Sequence, residues 1–110
     1  MIEVSVTRQD DGYIKSFTLS GHAESGPKGY DLVCAGVSAI SFGAVNAVLT
    51  LCEVELDIEQ AQEGGYLSVN IPSPSNEQLK DNIELLLNGM IVSLRTIERE
   101  YSEHIQIEDN

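Results

Sequence analysis

Basic side chains are scarce in this 110-residue chain: six Lys and Arg stand against 18 Asp and Glu, for a net charge of -12. Affinity for nucleic acid comes largely from neutralising phosphates with Lys and Arg, so this balance excludes direct binding to DNA or RNA. An anionic membrane surface is repelled in the same way. A basic partner would instead be drawn in, because the summed field raises its encounter rate, although the same acidity also serves plain solubility.

Cysteine is nearly absent, with only Cys34 and Cys52. On a single helix, eighteen residues of separation put them roughly 27 Å apart, beyond disulfide reach. A disulfide-stapled fold is thereby excluded, and free thiols fit a reducing cytoplasm. The N-terminal stretch MIEVSVTRQDDG has neither a basic n-region nor a long apolar run, so no signal peptide is expected. Metal-ligand spacing is missing as well. His22, Glu24 and Cys34 could bring three ligands, but no CxxC or HxxxH pattern supports them, and no metal or other cofactor is expected.

Charge itself disappears between Leu32 and Cys52, over 21 positions. That length could span a bilayer. Ser38, Ser41, Asn46, Thr50, Gly36 and Gly43 dilute the run, however, and its flanks are acidic. It reads as a core helix buried on most sides, hinting at a subunit interface as well as a sheet to pack against.

What is present describes one globular domain over residues 1–110. The composition is 42% hydrophobic and 22% charged, and a chain of this size can bury a core unaided. Ile2 to Arg8 alternates apolar and polar residues, the period of a half-buried strand. Asp10-Asp11-Gly12 signals a turn, and Tyr13 to Ser20 resumes the alternation less cleanly, which together predict a hairpin. Residues 21 to 30 form a glycine-containing loop, and Asp31 offers an N-cap for the uncharged helix. Val54 to Gln60 and Tyr66 to Ile71 predict a second hairpin around Glu63-Gly64-Gly65, ended by Pro72 and Pro74. Ser75 then caps a long helix to about Ser102, with Leu79, Ile83, Leu86, Leu87, Met90, Leu94 and Ile97 at helical spacing. Ile105 to Ile107 could add a short edge strand or fray. The expected class is α+β, ordered ββαββα with a short final strand in question. Both helices should pack on one mixed or antiparallel sheet.

The chemistry centres on Cys34. A thiolate is stabilised at a helix N-terminus by unpaired N–H groups and the helix dipole, and with Asp31 as N-cap Cys34 falls at N3, inside the first turn. The same turn offers N–H groups that could hold an oxyanion. A thiol nucleophile also needs a general base, and His22 is the only histidine before the helix. Residues 23 to 30 leave one predicted element and return to the next, which brings His22 towards Cys34 by chain geometry. The glycines of that loop would let it close over a peptide as a lid. Against this stands the plain alternative of an inert buried thiol and a loop histidine. Asp31 either caps the helix or orients His22, and Ser38, one turn beyond Cys34, either lines the site or bonds back to a carbonyl. Cys52 at the far helix end reads as core packing, and His104 as solvated.

The segments GHA at 21 to 23 and GYDLVCAGVSA at 29 to 39 resemble the ribosomal-processing cysteine protease (Prp) family. The likeness extends to SFGAVNAV at 41 to 48 and SLRTIEREY at 93 to 101, and so spans nearly the whole chain. It implies a cysteine endopeptidase whose Cys-His dyad maps onto Cys34 and His22, with Asp31 a matched motif residue. It implies a homodimer, which would account for a helix that is apolar all round. The implied substrate is the twenty-seventh protein of the large ribosomal subunit, from which a short N-terminal extension is cut after an aromatic residue. Ribosomal proteins are basic, which agrees with the charge of the chain. The competing expectation, from another class, is a non-catalytic module that binds a ribosomal component and assists assembly.

Overall fold

The structure is a computed structural model and describes residues 1–22 and 31–110. The loop reading for 23 to 30, its role as a lid, and Glu24 as a ligand lie outside the described residues.

Five strands and two helices follow in the order β1 (Ile2–Arg8), β2 (Ile14–Ser20), α1 (Leu32–Leu51), β3 (Asp57–Gln60), β4 (Tyr66–Asn70), α2 (Glu77–Glu100) and β5 (Ile105–Asp109). The sheet order is β3-β4-β2-β1-β5. All neighbours are antiparallel except β1 and β5, so the α+β sheet is mixed. Strand alternation gives it two unlike faces. Ile2, Val4 and Val6 are buried while Glu3, Ser5 and Thr7 are exposed. The apolar face joins Val33, Val37, Val45 and Val48 of α1 and Ile83, Leu87, Met90, Ile91 and Leu94 of α2 in one core. The other face stays polar, as an antiparallel-rich sheet allows.

Several boundaries differ from expectation for local reasons. The uneven alternation in the second strand is a β-bulge: Thr7 pairs with Ser16 but Arg8 with Ile14, so Lys15 is the extra residue and the buried spacing slips from Ile14 to Phe17. β3 starts at Asp57 rather than Val54. Partners for Val54 to Leu56 would have to come from beyond Asn70, where Ile71 instead donates to the Lys15 carbonyl (2.9 Å) and Pro72 has no N–H. The second helix is capped by Asn76 and not Ser75, because the Asn76 side chain accepts from the Leu79 amide at 3.0 Å. It ends at Glu100. The tail forms a real strand with Ile105 and Ile107 inward, laid parallel against β1.

The largest correction concerns α1. It was expected to be buried on most sides, yet only 28% of its apolar span is buried within the chain. Leu32, Phe42 and Leu51 are 76%, 40% and 71% exposed. By length and composition alone the helix is long and apolar enough to cross a membrane. One stripe of it, Val33-Val37-Ser41-Val45-Val48, nonetheless belongs to the core of this domain. A stretch without charges looks the same in sequence whether its outer side meets its own chain or another surface.

Arg8 fastens the strand ends. Its guanidinium donates to both carboxylate oxygens of Asp109 (2.7 and 2.9 Å), to Asn88 Oδ1 (3.0 Å) and to the Gly12 carbonyl (2.9 Å). This bidentate pair ties β1 to the end of β5 and to α2. Arg8 holds the Asp109 carboxyl below its ordinary value. A depressed carboxylate contributes stability that is complete above its unfolded value of about 3.9 and lost as pH falls through the folded one. Asp109→Asn should therefore lower the urea midpoint at pH 7, and the gap to the native protein should narrow steadily below about pH 4.

Candidate active site

β2 delivers His22 through Gly21. Gly21 lies at φ +95, and a Cβ there would run into the backbone carbonyl of Met1, so only glycine can make this exit from the sheet. The Gly21 amide donates to the Gly65 carbonyl (2.9 Å), pinning the end of β2 to the turn between β3 and β4. Gly65 sits at φ +80 directly beneath the histidine: a Cβ on it would lie 2.6 Å from His22 Nε2 and 3.1 Å from Cε1. The imidazole thus rests on a bare stretch of backbone that Gly65 leaves open.

α1 delivers Cys34. Asp31 has extended backbone, and its carboxylate accepts from the Cys34 amide at 3.0 Å, the N-capping role. This fixes Cys34 in the first turn, where the helix dipole acts, and Cys34 is half-buried rather than sealed inside. The cap also commits the Cys34 amide, which qualifies the expectation that first-turn N–H groups as a set serve an oxyanion. Ser38 is exposed and lies on the same side of the helix, one turn on. Cys52 ends the helix as its C-cap, half-buried against the core. His104, expected in solvent, is half-buried where its carbonyl accepts from the Ile2 amide at 2.8 Å.

One cleft of about 220 Å³ brings these parts together. His22, Cys34 and Ser38 line it, with Ile2, Leu19, Val37, Phe42 and Leu67 as apolar wall. Two contributors went unread in the sequence. Gly64-Gly65 signalled a turn, but nothing local told which side chain the turn would seat. In the sequence Ser41 is only a polar residue in an apolar run, yet it lines the cleft with its hydroxyl buried and unpaired among the described residues. No group of three or more His, Cys, Asp or Glu among the described residues could hold a metal ion.

A half-buried thiol at a helix N-terminus and an imidazole, both lining one largely apolar cleft, suit a cysteine protease. The chain belongs to the cysteine protease Prp family, whose model matches residues 1–106. It is 42% identical to the ribosomal processing cysteine protease Prp of Bacillus subtilis (strain 168), over all of this chain and 98% of that one. It is 40% identical to Prp of Staphylococcus aureus (strain NCTC 8325 / PS 47), over 97% of each. Among solved structures, the essential ribosomal processing protease Prp from S. aureus superposes with a TM-score of 0.92 in complex with a covalently linked product peptide. That match has 39% identity and covers all of both chains. The same enzyme with a substrate peptide gives a TM-score of 0.83 at 38% identity, again over all of both chains. The protein is a cysteine protease, and the expectation of a non-catalytic assembly module gives way to membership of a protease family.

Proposed function

We propose that this protease removes a short N-terminal extension from the twenty-seventh protein of the large ribosomal subunit, in the cytoplasm, using a Cys34-His22 dyad. The observation that carries the reading is the shared cleft, which places the helix-terminal thiol and the Gly65-seated imidazole on one surface. The peptide covalently linked in the S. aureus relative supports it, since a nucleophilic mechanism passes through an enzyme–peptide bond.

The Cys34 thiolate attacks the scissile carbonyl carbon, and the positive end of α1 stabilises the charge that develops. The C–N bond then breaks and the imidazolium of His22 gives its proton to the departing amine. Water adds to the thioester while His22 takes a proton from it, and the carboxylate leaves with the thiolate restored. Asp31 acts on this sequence by fixing the first turn.

At -12 the enzyme attracts a free basic ribosomal protein and is repelled by a ribosome coated in RNA phosphate. Mass spectrometry of the extended ribosomal protein after incubation should show loss of the extension. Free substrate should be processed faster than intact ribosomes at low salt. An unchanged mass ends the substrate assignment, and equal rates end the steering argument.

The exposed outer side of α1 fits a second copy of the chain, and the reading includes a homodimer. Sedimentation at micromolar concentration should give the mass of two chains, and a one-chain mass would remove that part.

A further inference from the structure

The sheet has two edges, β3 on one side and β5 on the other. Of these only β3 reaches the active-site cleft, where Gln60 and the following Ala61 belong to the lining. The hydrogen-bond ladder tells which backbone groups of β3 are free. The Ala61 amide donates to the Tyr66 carbonyl (3.2 Å), so in the antiparallel register Glu59 with Ser68 and Asp57 with Asn70 are the pairs that exchange bonds. β4 agrees from its other side: Ile71 donates to the Lys15 carbonyl, so Leu67 and Val69 turn their backbone groups towards β2. The amides and carbonyls of Ile58 and Gln60 therefore point away from the sheet, and no strand among the described residues pairs with them.

The side chains along this edge say what would pair with it. Glu55, Asp57 and Glu59 are exposed, while Leu56 and Ile58 between them pack against the core. Asp57 and Glu59 stand on the polar face of the sheet, opposite Asn70 and Ser68. None of the three acids forms an ion pair among the described residues. A second copy of this edge would set carboxylate against carboxylate and be repelled. A strand with Lys or Arg at alternate positions would instead meet opposite charge across from Glu59 and Asp57. Direction follows from the chain. β3 runs towards the cleft, so a strand laid antiparallel on it runs out of the cleft, and that stretch is the part of a substrate after the cut. Where an N-terminal extension is removed from a ribosomal protein, the basic body of that protein lies after the cut.

Resting on the proteolytic reading above, we infer that the open edge of β3 is a docking site for the substrate: the basic segment after the scissile bond adds to it as an antiparallel strand. Backbone bonds to Ile58 and Gln60 supply the grip, and alternate basic side chains face Glu59 and Asp57. Strand addition holds the scissile peptide extended as it leaves the cleft. It asks for alternation of charge rather than for one particular residue. The net charge of the enzyme brings a basic substrate near, and this edge orients it.

The test uses two peptides copied from the extended ribosomal protein, one ending about two residues past the cut and the other about ten, with binding to Cys34→Ala as the readout. The longer peptide should bind about tenfold tighter, the size of a few cross-strand bonds and charge pairs. N-methylation of its backbone, one residue at a time after the cut, should weaken binding about tenfold at every second position, where the amide faces Ile58 or Gln60, and little in between. Asp57→Asn combined with Glu59→Gln, in the same Cys34→Ala background, should cost the longer peptide about tenfold and the shorter one nothing. Glu3→Gln combined with Glu108→Gln changes the net charge equally on β1 and β5 and should leave both affinities unchanged. An alternating pattern upholds the inference whether or not native enzyme cuts the peptide. Equal binding of the two peptides, N-methyl losses without alternation, or equal losses in both double variants overturn it, while loss of mass from the extended protein would still uphold the substrate assignment. If Cys34→Ala binds neither peptide, the inference falls together with that assignment.

Discussion

Cys34→Ala should keep the fold and lose cleavage by roughly a thousandfold to a millionfold, the range seen when a nucleophile is removed from a dyad or triad. His22→Ala should lose a comparable factor. The double variant should be little worse than either, because groups that act as one unit are not additive. Neither change threatens the core: Cys34 is half-buried and His22 is exposed. Cys52→Ala should cleave normally, since Cys52 caps the opposite end of the same helix. Both thiols are half-buried, so access alone does not separate them. A faster reaction of Cys34 with iodoacetamide near neutral pH would therefore report its ionisation at the helix N-terminus. Full activity in Cys34→Ala would end the nucleophile assignment, and equal alkylation of the two thiols would remove the electrostatic part of the argument.

The parts of this site that depend on near neighbours could be read from the chain. Asp31 and Cys34 are three residues apart, and capping geometry is local, so the hydrogen bond between them follows once a helix is expected to start there. Residues 23 to 30 separate His22 from that helix, and a short excursion between two elements keeps its ends close. The seat beneath the histidine follows no such rule. Gly65 is over forty positions downstream, and it meets His22 only because β4 pairs with β2 in a register that sets Tyr66 against Ser20. Sheet order is the information that alternation lacks. The inward face of β1 could be assigned, but not the bulge that sets Ile14 inward in β2, nor the fact that β2 lies between β1 and β4, nor that the last strand returns parallel to the first. The misjudged helix boundary has a different cause. Ser75 and Asn76 are both good caps, and only the hydrogen bond to the Leu79 amide decides between them.

Gly65→Ala tests that non-local seat and should lower kcat about a hundredfold, the cost of moving a catalytic group by roughly 1 Å. Two effects act together in this variant and need to be separated. At φ +80 any Cβ strains the backbone, which removes roughly 1 kcal/mol of stability. The added methyl would also lie 2.6 Å from His22 Nε2, too close for both to stay, and the imidazole is the part free to swing away. Gly12→Ala provides the comparison. Its φ is +91, so the backbone strain is alike, but nothing lies within 4 Å of the added Cβ and the β1–β2 turn is absent from the cleft lining. Both variants should lose similar stability in urea, and only Gly65→Ala should lose turnover. A displaced base has a further signature: the pH profile of kcat/KM should lose or shift the limb belonging to the histidine in Gly65→Ala and keep it in Gly12→Ala. If the two variants cleave alike at equal stability, the imidazole does its work without resting on Gly65, and the turn between β3 and β4 is only a connection.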